Sequence, residues 1–382
     1  MITPNEYTRA LTYVDDIAGM GKNLREMKER KKFEFSLEKT QFLKVEAKKR
    51  KEEDIPHITL SKGKVEQTTE YKYLGNYITS NGRITRQLQE IERKAEGIIQ
   101  GIKSIANEHD LGKMSTEARI LLYKRTGVPS LTYNLEVWND LNSTEWERLE
   151  KIQGMELKRI MGLPPSTPYW GILKETGTWT VKWQVLYQKM MLFHLMMNSE
   201  DSRQAKRILE EQEKRGEDFG FYGNCRKCAA SMGVNVKAVK EKKKEDWKKM
   251  IKEKINIMMN VEFKLRKVQS TKLRHLTQND KGWGQADYLK ELGISNATEV
   301  LKTRLEMRDI GRNFGKERVC KGCGEEETTE HLLECWEVRR KIASWGNTQW
   351  ICEGNGKDLI KATKIIKEYL EWRDEQGDVV KE

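Results

Sequence analysis

Residues 88–105 read Leu-Gln-Glu-Ile-Glu-Arg-Lys-Ala-Glu-Gly-Ile-Ile-Gln-Gly-Ile-Lys-Ser-Ile, and this stretch decides the fold class. Its apolar residues recur every three or four positions, at Leu88, Ile91, Ala95, Ile98, Ile102 and Ile105. That spacing places them on one face of an α-helix. Similar patterns predict helices over 115–125, 144–160, 180–198, 236–275, 297–312 and 357–372. We therefore predict a mainly α chain with a small α+β part at its N-terminus.

The first 82 residues are less regular and predict a mixed α/β part. Strand patterns cover 33–37, 56–60 and 71–79, a short polar helix is predicted over 23–32, and a turn over 80–82. Near the start, Asp15 and Asp16 stand between two short apolar runs, which is typical of a tight β-hairpin with acids at its tip. Adjacent carboxylates repel, so the pair is either well solvated or held by a cation. Two interpretations follow: a solvated turn, or half of a two-metal site for phosphoryl or nucleotidyl transfer.

Composition limits the class of protein. The 382 residues are 34% charged and only 37% apolar, which suits long amphipathic helices in two or three domains better than a thick α/β core. The formal net charge is +12. Such a basic balance favours a polyanionic partner, although a charged helical surface alone would also produce it. The sequence contains neither a signal peptide nor a long apolar run, so we expect a nuclear or cytoplasmic protein that is not secreted and does not cross a membrane.

Much of the positive charge lies in one segment. Residues 236–275 carry 14 Lys and Arg against 5 Asp and Glu, or 14 − 5 = +9. Lys243, Lys244 and Lys248 are candidates for contacts with a nucleic-acid backbone. The alternative is a solvated helix face.

The cysteines are clustered. Cys320, Cys323, His331 and Cys335 follow the pattern C-x2-C-x7-H-x3-C. Three thiolates and one imidazole complete a tetrahedron, as in structural zinc sites. Gly322 and Gly324 would allow the tight turn, and Thr328 or Thr329 would cap a helix that carries His331 and Cys335 on one face. The glutamates 325–327 and Glu330 make the surroundings acidic.

Further interpretations concern single residues. Cys225 and Cys228 are expected to be free thiols in a loop, next to a linker at 216–223, and Cys352 an ordinary thiol. Thr144 and Glu147 match a capping box. His194 shares the apolar face of helix 180–198 with Leu195 and is interpreted as a satisfied core histidine.

Five motifs, taken in order, give a resemblance. Tyr13-Val14-Asp15-Asp16 resembles the Y-x-D-D hairpin of reverse transcriptases, and the whole series is similar to the non-LTR (LINE-like) retrotransposon family. The other four motifs are Leu37-Glu38-Lys39-Thr40, Tyr71-Lys72-Tyr73-Leu74-Gly75, Tyr133-Asn134-Leu135-Glu136-Val137-Trp138 and the Cys/His knuckle, with residues 157–165 also matching in order. Asn134 stands where that family usually has Gly.

The resemblance implies a partial palm sheet, a helical thumb and a helical C-terminal region with a small zinc knuckle. The implied domains are a partial palm at 1–82, thumb and following helices at 83–215, a basic helical region at 216–312, and the knuckle module with a closing helix at 313–382. RNA template and DNA primer would be the partners.

The resemblance also implies roles for individual residues. Asp15 and Asp16 would bind Mg²⁺, and Lys39 would donate a proton to the leaving pyrophosphate. Tyr13 would lie beneath the primer end, and Tyr73, Leu74 and Gly75 would position the primer.

Two departures from the family qualify the implied activity. The family has a further metal-binding aspartate well upstream of Y-x-D-D, and only twelve residues precede Tyr13 here. The interval between Asp16 and Lys39 is also short. We therefore expect the C-terminal part of a reverse transcriptase that is inactive alone, and the alternatives are a non-catalytic nucleic-acid-binding module and a non-functional relic.

Overall fold

The computed structural model of the chain is mostly helical, as predicted. It describes residues 11–13, 16–18, 41–45, 59–60, 63–108, 114–138, 141–216, 220–276, 282–311, 318–342, 344 and 346–376. Asp15, Lys39, the predicted helix 23–32 and the predicted strand 33–37 lie outside these residues. None of the described helices combines the length and the apolar character needed to cross a membrane.

The described strands are short and pair in twos. They are β1 (Leu11–Tyr13), β2 (Asp16–Ala18), β3 (Gln41–Leu43), β4 (Thr59–Leu60), β5 (Gly63–Lys64), β6 (Glu66–Thr68), β7 (Glu70–Tyr73) and β8 (Asn76–Thr79). The pairs β1–β2, β4–β5 and β7–β8 are antiparallel, and β3–β6 is parallel. The predicted antiparallel pairing of the two apolar runs is present, but Tyr13 lies opposite Asp16, so Asp16 belongs to β2 and not to the tip.

The second hairpin, β7–β8, has a two-residue turn at Leu74 and Gly75. Both residues have positive φ, 47° and 82°, which is the backbone conformation of a type I′ hairpin turn. Glycine adopts it freely, whereas leucine rarely does. Leu74 is 39% exposed at this tip. The single strand pattern predicted over 71–79 is therefore two strands separated by this turn, and the sequence did not predict a leucine with positive φ.

The helices follow. They are α1 (Thr85–Glu108), α2 (Thr116–Leu131), α3 (Ser143–Ile160), α4 (Tyr169–Thr176), α5 (Val181–Met197), α6 (Gln204–Arg215), α7 (Gly220–Ser231), α8 (Lys244–Gln269), α9 (Tyr288–Glu291), α10 (Ile294–Arg304), α11 (Thr329–Glu334), α12 (Trp336–Ile342), α13 (Thr348–Glu353) and α14 (Gly356–Glu375). Short 3₁₀ turns occupy Leu135–Val137, Val236–Val239 and Thr271–Leu273. The predicted helix face at 88–105 is confirmed at Leu88, Ile91, Ala95 and Ile102, which are buried.

The chain divides into two compact units, each built from three stretches. The first contains Met1–Arg93, Asn134–Glu145 and Gln188–Trp247. Its core includes Trp247, which is fully buried and donates its indole N–H to the carbonyl of Met190 at 3.0 Å. His194 is also buried and its Nε2 lies 2.9 Å from the carbonyl of Lys242, so the interpretation as a satisfied core histidine is confirmed.

The second unit contains Lys94–Tyr133, Trp146–Tyr187 and Lys248–Glu382. Polar side chains connect its helices inside the core. Trp179 and Trp183 donate their indole N–H groups to side chains of α8, at 2.8 and 3.1 Å. Lys124 donates to the carbonyls of Thr176 and Gly177 and so satisfies the end of α4. Burial lowers the pKa of this lysine to about 8.

Several local predictions were wrong. Helix α3 is capped by Asn142 and Glu145, which exchange hydrogen bonds at 2.9 Å, and not by the Thr144/Glu147 pair. Leu195, predicted on an apolar face, is 63% exposed. Two boundary predictions also failed, because 220–223 belong to α7 instead of a linker and α10 ends at Arg304 instead of 312. Apolar spacing locates a helix better than it locates the helix ends.

Candidate metal centre

The first two ligand residues lie on a tight turn. The backbone N–H of Gly324 donates to the carbonyl of Cys320 at 2.8 Å, and the N–H of Cys320 donates to the carbonyl of Glu325 at 2.7 Å. Gly324 has φ of 84°, which a side chain would strain. At Gly322 an added Cβ would lie 2.8 Å from the Cβ of Glu337, so this position allows close packing against α12. The predicted role in the tight turn is confirmed for Gly324, whereas Gly322 is required for packing and not for a positive φ.

Of the other two ligand residues, His331 lies on α11 and Cys335 caps the C-terminal end of this helix. Thr328 caps this helix, because its hydroxyl oxygen accepts a hydrogen bond from the backbone N–H of His331 at 3.1 Å. The N–H of Cys335 donates to the carbonyl of His331 at 2.7 Å, so one helical turn separates the two side chains. Residues four apart on a helix share a face. This geometry points the imidazole and the thiol toward the cysteine turn.

The four side chains converge. Cys320 Sγ lies 3.9 Å from Cys335 Sγ, Cys323 Sγ lies 3.6 Å from Cys335 Sγ, and His331 Nε2 lies 3.1 Å from Cys323 Sγ. All four ligand atoms lie within 4.8 Å of one another. Two sulfurs at about 2.3 Å from a tetrahedral zinc ion are about 3.8 Å apart. The group can therefore hold a metal ion such as zinc, with no open position left for a substrate.

The site is joined to a hydrophobic core. Cys320 and Cys335 are 1% and 7% exposed and pack with Leu333, Ile366 and Tyr369, among others. Burial raises the pKa of Cys320 to about 12. A metal ion at this site must therefore displace the thiol proton, and its binding is coupled to the packing of the module.

Polar contacts from α14 hold the turn in place. The hydroxyl of Tyr369 accepts a hydrogen bond from the backbone N–H of Lys321 at 3.1 Å. Arg373 donates to the carboxylate of Glu327 at 3.0 Å, and both side chains are almost fully buried. Glu327 is thus part of a compensated ion pair and not of the acidic surface that the sequence suggested.

A second polar cluster lies beside α11, and sequence reasoning missed it. Glu306 is buried at φ of 52° and accepts hydrogen bonds from Arg274, His275 and Thr329. Arg274 also lies 3.0 Å from Glu330. Burial alone would lower the pKa of His275, but its hydrogen bonds, including that to Glu306, and the nearby carboxylates raise it to about 9.

The second cluster is better described as an ion cluster than as a metal site. His275, Glu306 and Glu330 present atoms within 4.8 Å of one another. However, Arg274 contacts both carboxylates, at 2.7 and 3.0 Å, and already compensates their charge. The cluster connects the segment after α8 to the first turn of α11. No local pattern marks it in the sequence, because its members come from three separate stretches.

The predicted polymerase residues are described only in part. Tyr13 and Asp16 are paired across β1 and β2, whereas Asp15 and Lys39 lie outside the described residues. Tyr73, Leu74 and Gly75 end β7 and form its turn. Their proposed roles, and the Mg²⁺ site, stay predictions.

The predicted nucleic-acid-binding lysines lie at the start of α8. Lys243 and Lys244 are exposed, and Lys248 is half-buried. The helical prediction for 236–275 is confirmed, although the segment comprises two 3₁₀ turns and α8.

The Cys225/Cys228 pair lies within helix α7, so the prediction of a loop was wrong. Neither thiol is in a disulfide, as predicted. Burial raises the pKa of Cys225 well above its ordinary value. Such a thiol is unsuited to nucleophilic or redox chemistry.

Comparison with known proteins gave no match to a family model, a curated protein or a solved structure. The resemblance to reverse transcriptases therefore rests on the motifs alone.

Proposed function

We propose that this chain is the C-terminal part of a non-LTR retrotransposon reverse transcriptase and acts as a nucleic-acid-binding module stabilised by one structural zinc ion. The observation that carries the proposal is the closed Cys₃His group. Its four ligand atoms lie within 4.8 Å of one another and leave no position for a substrate. Such a site stabilises the fold around it and does not itself catalyse a reaction.

Three backbone features at the other motifs support the proposal. Tyr13 and Asp16 of the Y-x-D-D motif pair across two antiparallel strands, and Tyr73-Leu74-Gly75 lies at the turn of another antiparallel pair. Asn134 has φ of 56°, a conformation that glycine and asparagine adopt most readily. This accounts for an asparagine at the position where the family usually has glycine.

The charge distribution supports a nucleic-acid partner. The segment 236–275, with 14 − 5 = +9, contains the exposed Lys243 and Lys244 and the half-buried Lys248. Lysines that contact phosphates release bound counterions, so the affinity falls as salt concentration rises.

A salt titration with charge-matched variants tests the binding. Lys243, Lys244 and Lys248 are changed together to Gln, and the control changes three exposed lysines of α14 to Gln. These control residues are Lys357, Lys361 and Lys364. We expect the first variant to bind labelled RNA or DNA more weakly, with a salt slope smaller by about 3, which is about 1 for each lost phosphate contact. The control removes the same charge and keeps the wild-type slope. Equal slopes in both variants, or no binding at low salt, would refute the proposal.

Metal analysis tests the zinc ion separately. After dialysis we expect about one zinc per chain in the wild type and in Cys228→Ala, and much less in Cys335→Ala. Full zinc occupancy in Cys335→Ala would exclude this residue as a ligand.

RNA-directed DNA polymerisation is a second candidate, favoured by the pairing of Tyr13 with Asp16 in the hairpin. The test is primer extension on an RNA template with Mg²⁺. Template-directed incorporation that Asp16→Asn abolishes would support catalysis. Absence of incorporation, together with salt-dependent binding, would leave binding as the activity of this chain.

A further inference from the structure

We infer that Trp336 is a stacking platform for an unpaired nucleobase, and this inference rests on the proposed nucleic-acid binding. Trp336 is 70% exposed. In the part of the chain that the structure describes, Tyr133 is the only other aromatic residue in the exposed class, at 45%. The exposed indole offers a flat π-face on which a base can stack.

The support of this indole is rigid. Trp336 directly follows the metal ligand Cys335 and is the first residue of α12. Val338 anchors the same helix, because it is 1% exposed in the core that contains both buried cysteines. The cysteine turn packs on α12, where Gly322 lies close to Glu337. The backbone that carries the indole is therefore fixed before a base stacks on it, which lowers the entropic cost of binding.

The charge next to Trp336 suits a nucleotide. Arg340 is four residues further along α12, so it lies on the same face, and its side chain is 64% exposed while it pairs with Glu337 at 2.9 Å. With Arg339 and Lys341, the helix carries three cations and one acid, or 3 − 1 = +2. A base on the indole would therefore have a guanidinium nearby for its phosphate.

The acidic residues next to the metal ligands favour base stacking over phosphate contacts at this surface. Glu325 and Glu326 are exposed on the segment between the cysteine turn and α11. They disfavour a continuous track of phosphates across the knuckle. Stacking on an aromatic face does not need a continuous positive surface, because every base offers a π-face. We therefore assign the surface to a single unpaired base and not to a duplex, whose bases are not available for stacking.

The test compares single-stranded and duplex oligonucleotides of equal length, bound by the full zinc-loaded chain. We expect Trp336→Ala and Trp336→Leu to weaken single-strand binding about tenfold, within the range for loss of one stacked base, and to leave duplex binding within about twofold. Trp336→Phe should retain most of the affinity, because phenylalanine has a π-face and leucine does not. Leu195→Ala, at a residue that is 63% exposed on α5 and lies outside the basic segment 236–275, is the matched control and should not change either affinity.

Zinc content and thermal unfolding of each variant establish that the knuckle is intact. Raising the salt concentration from about 50 to about 200 mM weakens phosphate contacts, so the affinities of wild type and of Trp336→Leu should both fall. The ratio of the two affinities should stay constant over this range, because stacking releases no counterions. If wild type binds both oligonucleotides and Trp336→Leu binds them equally well, the stacking inference is wrong and the proposed function stands. If wild type binds neither, the proposed function itself fails.

Discussion

The buried ion pair between Arg373 and Glu327 gives the sharpest test of how the metal module is held together. Arg373 donates to Glu327 at 3.0 Å and to the carbonyl of Asp309 at 2.7 Å, and the two charged side chains are 3% and 0% exposed. The other carboxylate oxygen of Glu327 accepts from the backbone N–H of Gly311 at 3.0 Å. Arg373→Met would therefore leave Glu327 as a buried charge without its cationic partner. The cost of such a loss is about 3–5 kcal/mol.

Arg373 and Glu327 are not equivalent, so the effect of Glu327→Gln on stability depends on whether Arg373 is present. In Glu327→Gln, Arg373 keeps its pair with Asp374 at 2.9 Å, so this single change should cost less. Once Arg373 is methionine, however, Glu327→Gln removes an unpaired buried charge. It should then recover about 1–3 kcal/mol. The same substitution is thus destabilising in the wild type and stabilising in Arg373→Met.

Zinc release during urea unfolding reports on this module, because Glu327 lies between the ligands Cys323 and His331 in sequence. A loss of about 4 kcal/mol, at a slope of about 2 kcal/mol per molar urea, lowers the midpoint of release by about 2 M. Lys364→Met is the control, since this lysine of the same helix is 73% exposed. It should change the midpoint little. If Glu327→Gln further destabilises Arg373→Met, the pair is not a compensated buried ion pair and the reasoning is refuted.

Two further predictions concern the second compact unit. Burial raises the pKa of Glu156 from 4.5 to about 7, so the protonated carboxyl group stabilises the folded state. This contribution to the free energy of unfolding is about 3 kcal/mol; it is complete below pH 4.5 and is lost as pH rises through 7. In urea unfolding between about pH 5 and 8, the free energy of unfolding should therefore fall more steeply with pH for wild type than for Glu156→Gln. Parallel plots of the unfolding free energy against pH for the two proteins would contradict this. Gly177→Ala should destabilise by about 2–5 kcal/mol, because φ is 58° and the new Cβ would lie 2.3 Å from the backbone nitrogen of Gln285. Gly97→Ala, with open space around its helical position, should instead stabilise by about 0.5–1 kcal/mol in thermal unfolding, and similar effects of the two changes would refute the argument.

The Cys₃His group could be predicted because its determinants are local. Two cysteines three apart on a glycine-containing turn, and a histidine and a cysteine four apart on a capped helix, each fix their own geometry within one turn of chain. The helix positions were predictable for the same reason, from apolar spacing. The sequence predicted that Thr328 or Thr329 caps α11, and the structure shows that Thr328 is the cap.

Long-range polar contacts could not be predicted from the sequence. Glu306 meets His275 and Thr329 only after the segments that follow α8 and α10 and the start of α11 have come together. Its positive φ contradicts the preference of a glutamate, so local propensity gives the wrong expectation there. Glu327 shows the same limit, since its position in the sequence is that of a surface acid and its partner is Arg373 in α14.

The Cys₃His group and the helix that carries Trp336 share one hydrophobic core, so metal binding is coupled to the proposed binding surface. A zinc finger that folds alone would leave its neighbours unaffected by metal removal. Here Cys320 and Cys335 pack in one core with Tyr369 of α14 and Val338 of α12. Because Val338 anchors the helix that carries Trp336, removing the metal should loosen α12 and α14 together, and with them the exposed indole. Metal occupancy would therefore act on nucleic-acid binding through the position of Trp336, although the ion itself contacts no nucleic acid.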